Sequence, residues 1–111
     1  MLNNKKMFTK ILNALQGKTG LPDYDKATTL SFSWNTDTTI ADDGYVVVTM
    51  TTSQDGAYMS ASVNGLAVWS AIGGTNNQRN YVGVFPVCKG DIIKFTYAYT
   101  VTGTAKFVPY K

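Results

Sequence analysis

The stretch that decides the fold is YMSASV-NG-LAVWSAI, residues 58–72. In its first half Met, Ala and Val alternate with Tyr and Ser, which is the period of two expected of a strand with one buried face. Asn64-Gly65 follows, and this dipeptide is the strongest short signal for a two-residue hairpin turn. The stretch therefore predicts an antiparallel hairpin with strands at Tyr58–Val63 and Leu66–Ile72.

Short apolar runs separated by turn residues continue on both sides of this hairpin. They predict further strands at Thr28–Asn35, Tyr45–Thr52, Asn80–Phe85, Asp91–Tyr99 and Lys106–Tyr110, with a turn at Val101–Gly103 between the last two. About seven or eight short strands at this spacing are typical of a β-sandwich or jelly roll. Apolar residues occupy consecutive positions in Tyr45–Val48 and at Ile92-Ile93. These strands should be covered on both faces, which indicates a subunit interface.

The period changes to 3.6 near the N-terminus. One helical stripe collects the apolar residues Met7, Phe8, Ile11, Leu12 and Leu15. We therefore predict an amphipathic helix over residues 1–17, a linker over 18–27 and one jelly-roll domain over 28–111. A helix this short is marginal alone in water. We expect it to pack on its own domain or to pair with copies of itself.

Composition excludes most kinds of catalytic site. The chain has 111 residues, one cysteine and no histidine, so neither an intrachain disulfide nor a histidine–cysteine zinc site can form. A catalytic thiol at Cys88 would lack a histidine base. Glutamate is absent, and aspartates such as those of Asp42-Asp43-Gly44 are ordinary turn formers. We predict a non-enzymatic protein without cofactor or metal.

Charge is equally informative about partners. The formal net charge is +3, but five lysines lie in the first 26 residues and Arg79 is the one arginine. Nucleic-acid binding needs a basic stripe matched to phosphates, which this distribution does not provide. No apolar run is long enough for a signal peptide or a membrane span. We expect a soluble chain made in a cytoplasm, with no nucleic-acid partner and no membrane insertion.

The longest polar segment, residues 72–80, is rich in amides and lies near aromatic residues. Such loops on a rigid sandwich are suited to sugar recognition, although they more often serve as plain surface loops. The predicted ligand-binding set is Trp69, Asn76, Asn77, Gln78, Arg79 and Asn80. The predicted oligomer interface combines helix and strand residues, namely Phe8, Ile11, Leu12, Leu15, Phe95, Tyr97 and Tyr99.

Five segments of the chain follow one another along the sequence in a recognisable order. They are Leu21–Tyr24, Asp42–Val46, Ser62–Gly65, Phe85–Asp91 and Phe107–Lys111. This order resembles the small C-terminal heads of phage and prophage fibre proteins, which are similar to the tumour-necrosis-factor-like jelly roll. The resemblance covers residues 21–111, and its most specific part is Pro-Val-x-Lys-Gly-Asp before a long strand.

The resemblance implies a structural protein of the virion, either a tail fibre or a head fibre. Three jelly rolls would share an apolar axis as a homotrimer, and residues 1–17 would anchor it to other virion proteins. Exposed loops on the virion surface would adhere to a glycan of the host bacterium or would only decorate the particle, and the chain would be made in the cytoplasm of that host. The alternative is a free-standing, monomeric, non-catalytic carbohydrate-binding module of bacterial or prophage origin.

Overall fold

The computed structural model describes residues 20–73 and 79–111. Within them the chain forms a short 3-10 turn, Tyr24–Lys26, and eight strands. The strands are β1 (Thr28–Thr29), β2 (Asp37–Thr39), β3 (Gly44–Thr52), β4 (Tyr58–Val63), β5 (Leu66–Ile72), β6 (Arg79–Val87), β7 (Ile92–Ala98) and β8 (Thr102–Pro109). The helix predicted over residues 1–17 lies outside the described residues.

The strands form two antiparallel sheets of four. The first sheet has the order β1-β8-β3-β6 and the second has the order β2-β7-β4-β5. The predicted all-β class is confirmed. Each sheet has one face turned toward the other, and burial alternates strictly along the central strand β3. This alternation is the pattern of a strand that buries one face, because successive side chains point to opposite sides.

The core lies between the two sheets. Its largest fully buried side chain, Phe95 on β7, is 0% exposed. The remaining members of the buried cluster come from both sheets and the β2–β3 connection: Ile40, Val46, Val48, Met50, Met59, Ala61, Phe85, Val87, Ile93 and Ala105. The valine, isoleucine, methionine and phenylalanine side chains among them contribute about 1.5–3 kcal/mol each when fully buried. The described residues have no buried side-chain polar atom without a hydrogen-bond partner.

The central hairpin has the bounds that the sequence predicts, whereas the first strand does not. Of the predicted strand Thr28–Asn35, Thr28–Thr29 pairs with β8, and the N–H of Leu30 donates to the carbonyl of Ala105 in β8 (2.9 Å). The chain then leaves the sheet edge and packs its aromatic rings against the core. Phe32 lies 4.3 Å from Phe95 between ring centroids, and Trp34 lies 4.5 Å from Tyr97. The alternation of Leu30, Phe32 and Trp34 therefore reflects an apolar strap over the core rather than a paired strand.

The predicted turn at Val101–Gly103 is also wrong. Strand β8 begins at Thr102, and Gly103 pairs with Met50 of β3. The reversal instead includes Tyr99, whose φ of 65° lies in the left-handed region. Gly103 is needed for packing, because a Cβ there would lie 2.7 Å from the ring of Trp34. A glycine close to a turn thus marks a close approach between the sheet and the strap.

A β-bulge decides the orientation of Trp69. The Asn64-Gly65 turn pairs Val63 with Leu66 and Ser62 with Ala67, but the register then shifts. Trp69 pairs with Ala61 instead of Ser60, which a regular hairpin would have placed opposite it. A one-residue shift moves a side chain to the other face of the sheet. The indole therefore points into the sandwich, where it lies over Gly83 of the other sheet.

Residues 20–27 of the predicted linker run alongside β8. The backbone N–H of Asp23 donates to the carbonyl of Pro109 (2.8 Å), and that of Lys111 donates to the carbonyl of Leu21 (2.8 Å). Pro22 forms an isolated antiparallel bridge with Tyr110. This segment is thus hydrogen-bonded to the domain and continues the line of β1 along the sheet edge.

The contact between Trp69 and Gly83 gives a direct test of the packing. A Cβ at Gly83 would lie 2.6 Å from Cε2 of the indole, so Gly83→Ala should lower the free energy of unfolding by about 1–3 kcal/mol. Urea denaturation measures the effect. Thr39→Ala, at an exposed strand position, should change the free energy of unfolding by less than about 0.5 kcal/mol. An equal cost of Gly83→Ala in a Trp69→Ala background would contradict the proposed clash.

Candidate interaction surfaces

The outer face of the first sheet is poor in charge and rich in valine and threonine. Its central column, on β3, consists of half-buried residues, namely Tyr45, Val47, Thr49 and Thr51. On β6, Val82 pairs with Thr49 and is 64% exposed, and Val84 pairs with Val47 and is 52% exposed. Across these columns on β3, β6 and β8, Lys106 is the one charged outward residue.

This face continues around the sheet edge into an apolar hollow of about 640 Å³. Its wall combines β6 with the hairpin of the second sheet, where Leu66 is 70% exposed and Val68 is 39% exposed. We call Leu66, Val68, Val82, Val84 and Pro86 the apolar surface. Exposed aliphatic residues scattered singly are normal, but a contiguous group of them indicates an interaction site.

The outer face of the second sheet has a different character. Hydroxyl-bearing residues of neighbouring strands stand in a row, with Ser60 paired to Ser70 on one side and to Thr96 on the other. The Ser60 and Thr96 hydroxyls are 2.5 Å apart and share a hydrogen bond. At one end of this face, Lys94 Nζ lies 3.6 Å from Asp37 Oδ1. A hollow of about 430 Å³ opens beside this ion pair.

Of the predicted ligand-binding set, the structure describes Trp69, Arg79 and Asn80, and it places Trp69 and Asn80 on opposite sides of the sheets to which they belong. The indole is packed inward, and sequence reasoning missed this because the bulge at Val68 has no local signature. Asn80 lies on the outer face of the first sheet, where its Oδ1 accepts a hydrogen bond from Thr51 Oγ1 (2.8 Å). Arg79 begins β6 and is exposed. The other three predicted residues, Asn76, Asn77 and Gln78, lie outside the described residues.

The predicted interface aromatics are also divided. Phe95 is fully buried between the sheets and offers no surface to another subunit. Tyr97 is 41% exposed and Tyr99 is 66% exposed, so both remain accessible at the end of β7. The helix residues Phe8, Ile11, Leu12 and Leu15 lie outside the described residues.

One end of the sandwich is held by a hydrogen-bond network around Asn64 and Asp91. Asn64 Nδ2 donates to Asp91 Oδ1 (3.0 Å). The Oδ1 of Asn64 accepts from the backbone N–H of Ile92 (2.9 Å). Asp91 Oδ2 accepts from the backbone N–H of Cys88 (2.8 Å). Asp43 Oδ1 accepts from the N–H of Lys89 (2.8 Å), which ties in the turn before β3. The β4–β5 hairpin is thereby joined to the β6–β7 turn.

This network also sets the protonation of Asp91. The Cys88 N–H and the Asn64 amide both stabilise the carboxylate, so the pKa of Asp91 is lowered from its ordinary value of 3.8. At the same end, burial raises the pKa of Tyr110, and negative charge at Tyr45, Cys88 and Asp43 would add to this shift. The network is structural in character, because its polar atoms bond one another.

The described residues contain no group of three or more His, Cys, Asp or Glu side chains placed to hold a metal ion. No helix in the same part of the chain has the length and apolar character needed to cross a membrane. Comparisons with known proteins find no relative: no protein-family model, curated protein or solved structure matches the chain.

Acid titration tests the Asp91 network. Because the folded-state pKa is depressed, the network's contribution is present above the unfolded pKa and is lost as the pH falls through the folded pKa. Asp91→Asn should therefore be less stable than the parent at neutral pH. The difference in unfolding free energy between the parent and the variant should become smaller below about pH 4, as the parent carboxylate becomes protonated. Urea unfolding at a series of pH values measures it, and a difference that is unchanged at pH 2.5 would contradict the assignment.

Proposed function

We propose that this chain is a jelly-roll fibre protein of a bacteriophage virion. It would assemble as a homotrimer, attach to the particle through its N-terminal segment and adhere to a glycan of the host surface. The observation that carries the proposal is the strand order, together with the resemblance of residues 21–111 to fibre heads. The apolar surface supports the self-association.

The strand order supports the jelly-roll assignment in particular. In the pairings β1:β8, β3:β6, β2:β7 and β4:β5, each strand pairs with its counterpart from the opposite end of the strand sequence. This nested arrangement results when one long antiparallel hairpin rolls up into two sheets. It is the topology expected of an eight-stranded jelly roll built from two Greek keys.

Self-association is supported by the apolar surface. Val82 and Val84 would be removed from water if a second copy packed on this face, at about 25 cal/mol per Å² of apolar area buried. Few charges would be desolvated, since Lys106 is the one charged outward residue on β3, β6 and β8. The trimeric state is proposed from the resemblance, because an apolar face alone does not determine how many copies associate.

The position of Gly20 supports the anchoring role. Gly20 lies by the outer face of the first sheet, where its carbonyl oxygen accepts a hydrogen bond from Tyr45 Oη (2.5 Å). Tyr45 also packs edge-on against Tyr110, with ring centroids 5.3 Å apart. Gly20 itself thus lies at the face that would be shared in the trimer. Three N-terminal segments would then emerge close to the axis.

The first test concerns the number of subunits. Light scattering of the purified chain at micromolar concentration should give about three times the mass of 12.1 kDa. Val82→Lys with Val84→Lys should give a folded monomer, because the charges would be buried against another copy. Ile72→Lys is the matched control, because Ile72 is equally exposed (67%) but lies on the second sheet. A monomeric parent would contradict the proposal and favour the free-standing carbohydrate-binding module.

The second test concerns the N-terminal segment. Ile11→Asp with Leu15→Asp should weaken trimer assembly or attachment to the particle, since each change places a charge on the predicted apolar stripe. The β-type circular dichroism signal should persist, because the core cluster is built from the strands and their connections. Loss of that signal in the double variant would instead make the segment part of the sandwich core.

A further inference from the structure

We infer that the outer face of the second sheet binds a neutral oligosaccharide along a strip of small hydroxyl-bearing side chains. The strip runs between Tyr58 at one end and the Lys94–Asp37 ion pair at the other. We call it the hydroxyl strip; its hydroxyl-bearing members are Ser60, Ser62, Ser70 and Thr96, and Ala67 stands beside Ser62. The inference rests on the adhesive part of the proposed function and names the site for it.

The strip is open because its side chains are short. Reading across β5, β4 and β7, the outward residues between Tyr58 and Lys94 are serine, alanine or threonine. Outer faces of soluble sheets are normally covered by long charged side chains, which keep the surface soluble. Here the middle of the face carries only short side chains. A chain of sugar rings could therefore lie directly on the sheet.

The hydroxyl groups supply the polar chemistry that a sugar needs. Each hydroxyl has one donor hydrogen and two acceptor lone pairs. The bond between Ser60 and Thr96 uses one hydrogen and one lone pair, which leaves the pair both a donor and acceptors. The Ser62 hydroxyl makes only a long contact of 3.5 Å to the carbonyl of Lys94. Such groups can both donate to and accept from the hydroxyls of a sugar ring.

An apolar platform adjoins this row. Tyr58 is 38% exposed, and its cross-strand neighbour Ile72 is 67% exposed. On the other side Tyr58 pairs with Ala98, whose small side chain does not cover the ring. An aromatic body with a polar tip is suited to the apolar face of a sugar. The platform stands where β5 enters the amide-rich segment 72–80, on the face opposite to the inward-packed Trp69.

The charges on this face indicate a neutral ligand. Lys94 and Asp37 are the charged outward residues on the four strands of the second sheet, and they lie 3.6 Å apart. Their fields largely cancel for a ligand at the strip. An acidic sugar would have to compete with Asp37 for the ammonium group, whereas a neutral sugar can bond to both partners at the rim of the adjacent hollow.

A printed array of neutral and acidic oligosaccharides, followed by calorimetric titration of the best monovalent binder, tests this site. Tyr58→Ala should weaken binding at least about tenfold by removing the ring. Ser60→Lys should abolish binding by placing a long charged side chain across the strip. Ser70→Lys should also abolish binding, because it places a long charged side chain on the strip from an exposed position on the edge strand. It serves as the second variant if Ser60→Lys impairs folding.

Matched controls lie away from the strip. Tyr24→Ala removes an aromatic side chain that is 63% exposed, and Ser31→Lys adds the same charge at an exposed serine outside the paired strands. Both should bind as the parent does, and both should retain the parent's melting temperature within a few degrees, as should Tyr58→Ala and Ser70→Lys. The double variant Arg79→Ala with Asn80→Ala should also bind normally.

The outcomes separate this inference from the proposed function. If the parent binds no oligosaccharide, the adhesive role and the strip both fail. If the parent binds but the strip variants bind equally well, the strip fails while adhesion stands, and a loss in the Arg79–Asn80 variant would then assign binding to the loop. Binding that is confined to acidic sugars and falls steeply with salt would overturn the neutral ligand.

Discussion

The Trp69 indole lies against the backbone of Gly83 in the other sheet, and the register of the central hairpin and the open outer face both follow from this contact. Both residues belong to strands at the same open side of the sandwich, β5 and β6. Any side chain at Gly83 would push the indole out, and the hairpin register must shift by one residue to aim it inward. The shift also clears the outer face. Without it Trp69 would stand opposite Ser60, and the hydroxyl strip would not exist.

The sequence predicts the strands well where turn chemistry and alternation agree, and poorly where packing overrides them. Strands β4 and β5 have the predicted bounds because Asn64-Gly65 fixes both ends of the turn. The polar strand β2 was missed because Asp-Thr-Thr has no apolar face, and it is held by pairing with β7. For the site, alternation correctly separated Tyr58 and Ser60 from Met59, but it could not place Trp69. A bulge depends on what the other sheet offers, which local sequence does not reveal.

The segments that carry the fibre-head resemblance meet, for the most part, at one end of the sandwich. Leu21 and Asp23 bond to the C-terminal residues, Asp43 accepts from Lys89, and Asn64 bonds to Asp91. Each of these polar groups is satisfied within the network. The motifs therefore act as scaffold in this chain, so the resemblance that they carry would bear on the fold more than on the ligand. A ligand specific to this chain is more reasonably sought outside them, where side chains remain exposed.

The two outer faces differ in a way that suggests an orientation in an assembly. Burial of Val82 and Val84 on the first sheet would be favourable. The serines and threonines of the second sheet are polar, and their exposure to water has no such cost. Packing copies through the first sheet would turn every second sheet outward. Gly20 would lie on the inner side of such an assembly, so an N-terminal anchor would lie near the axis and the hydroxyl strips around the rim. Three weak strips at fixed spacing could then act together, raising avidity by about 10²–10⁴ on a surface with matching glycans. Adhesion would then come from the arrangement of three sites rather than from any one strong contact.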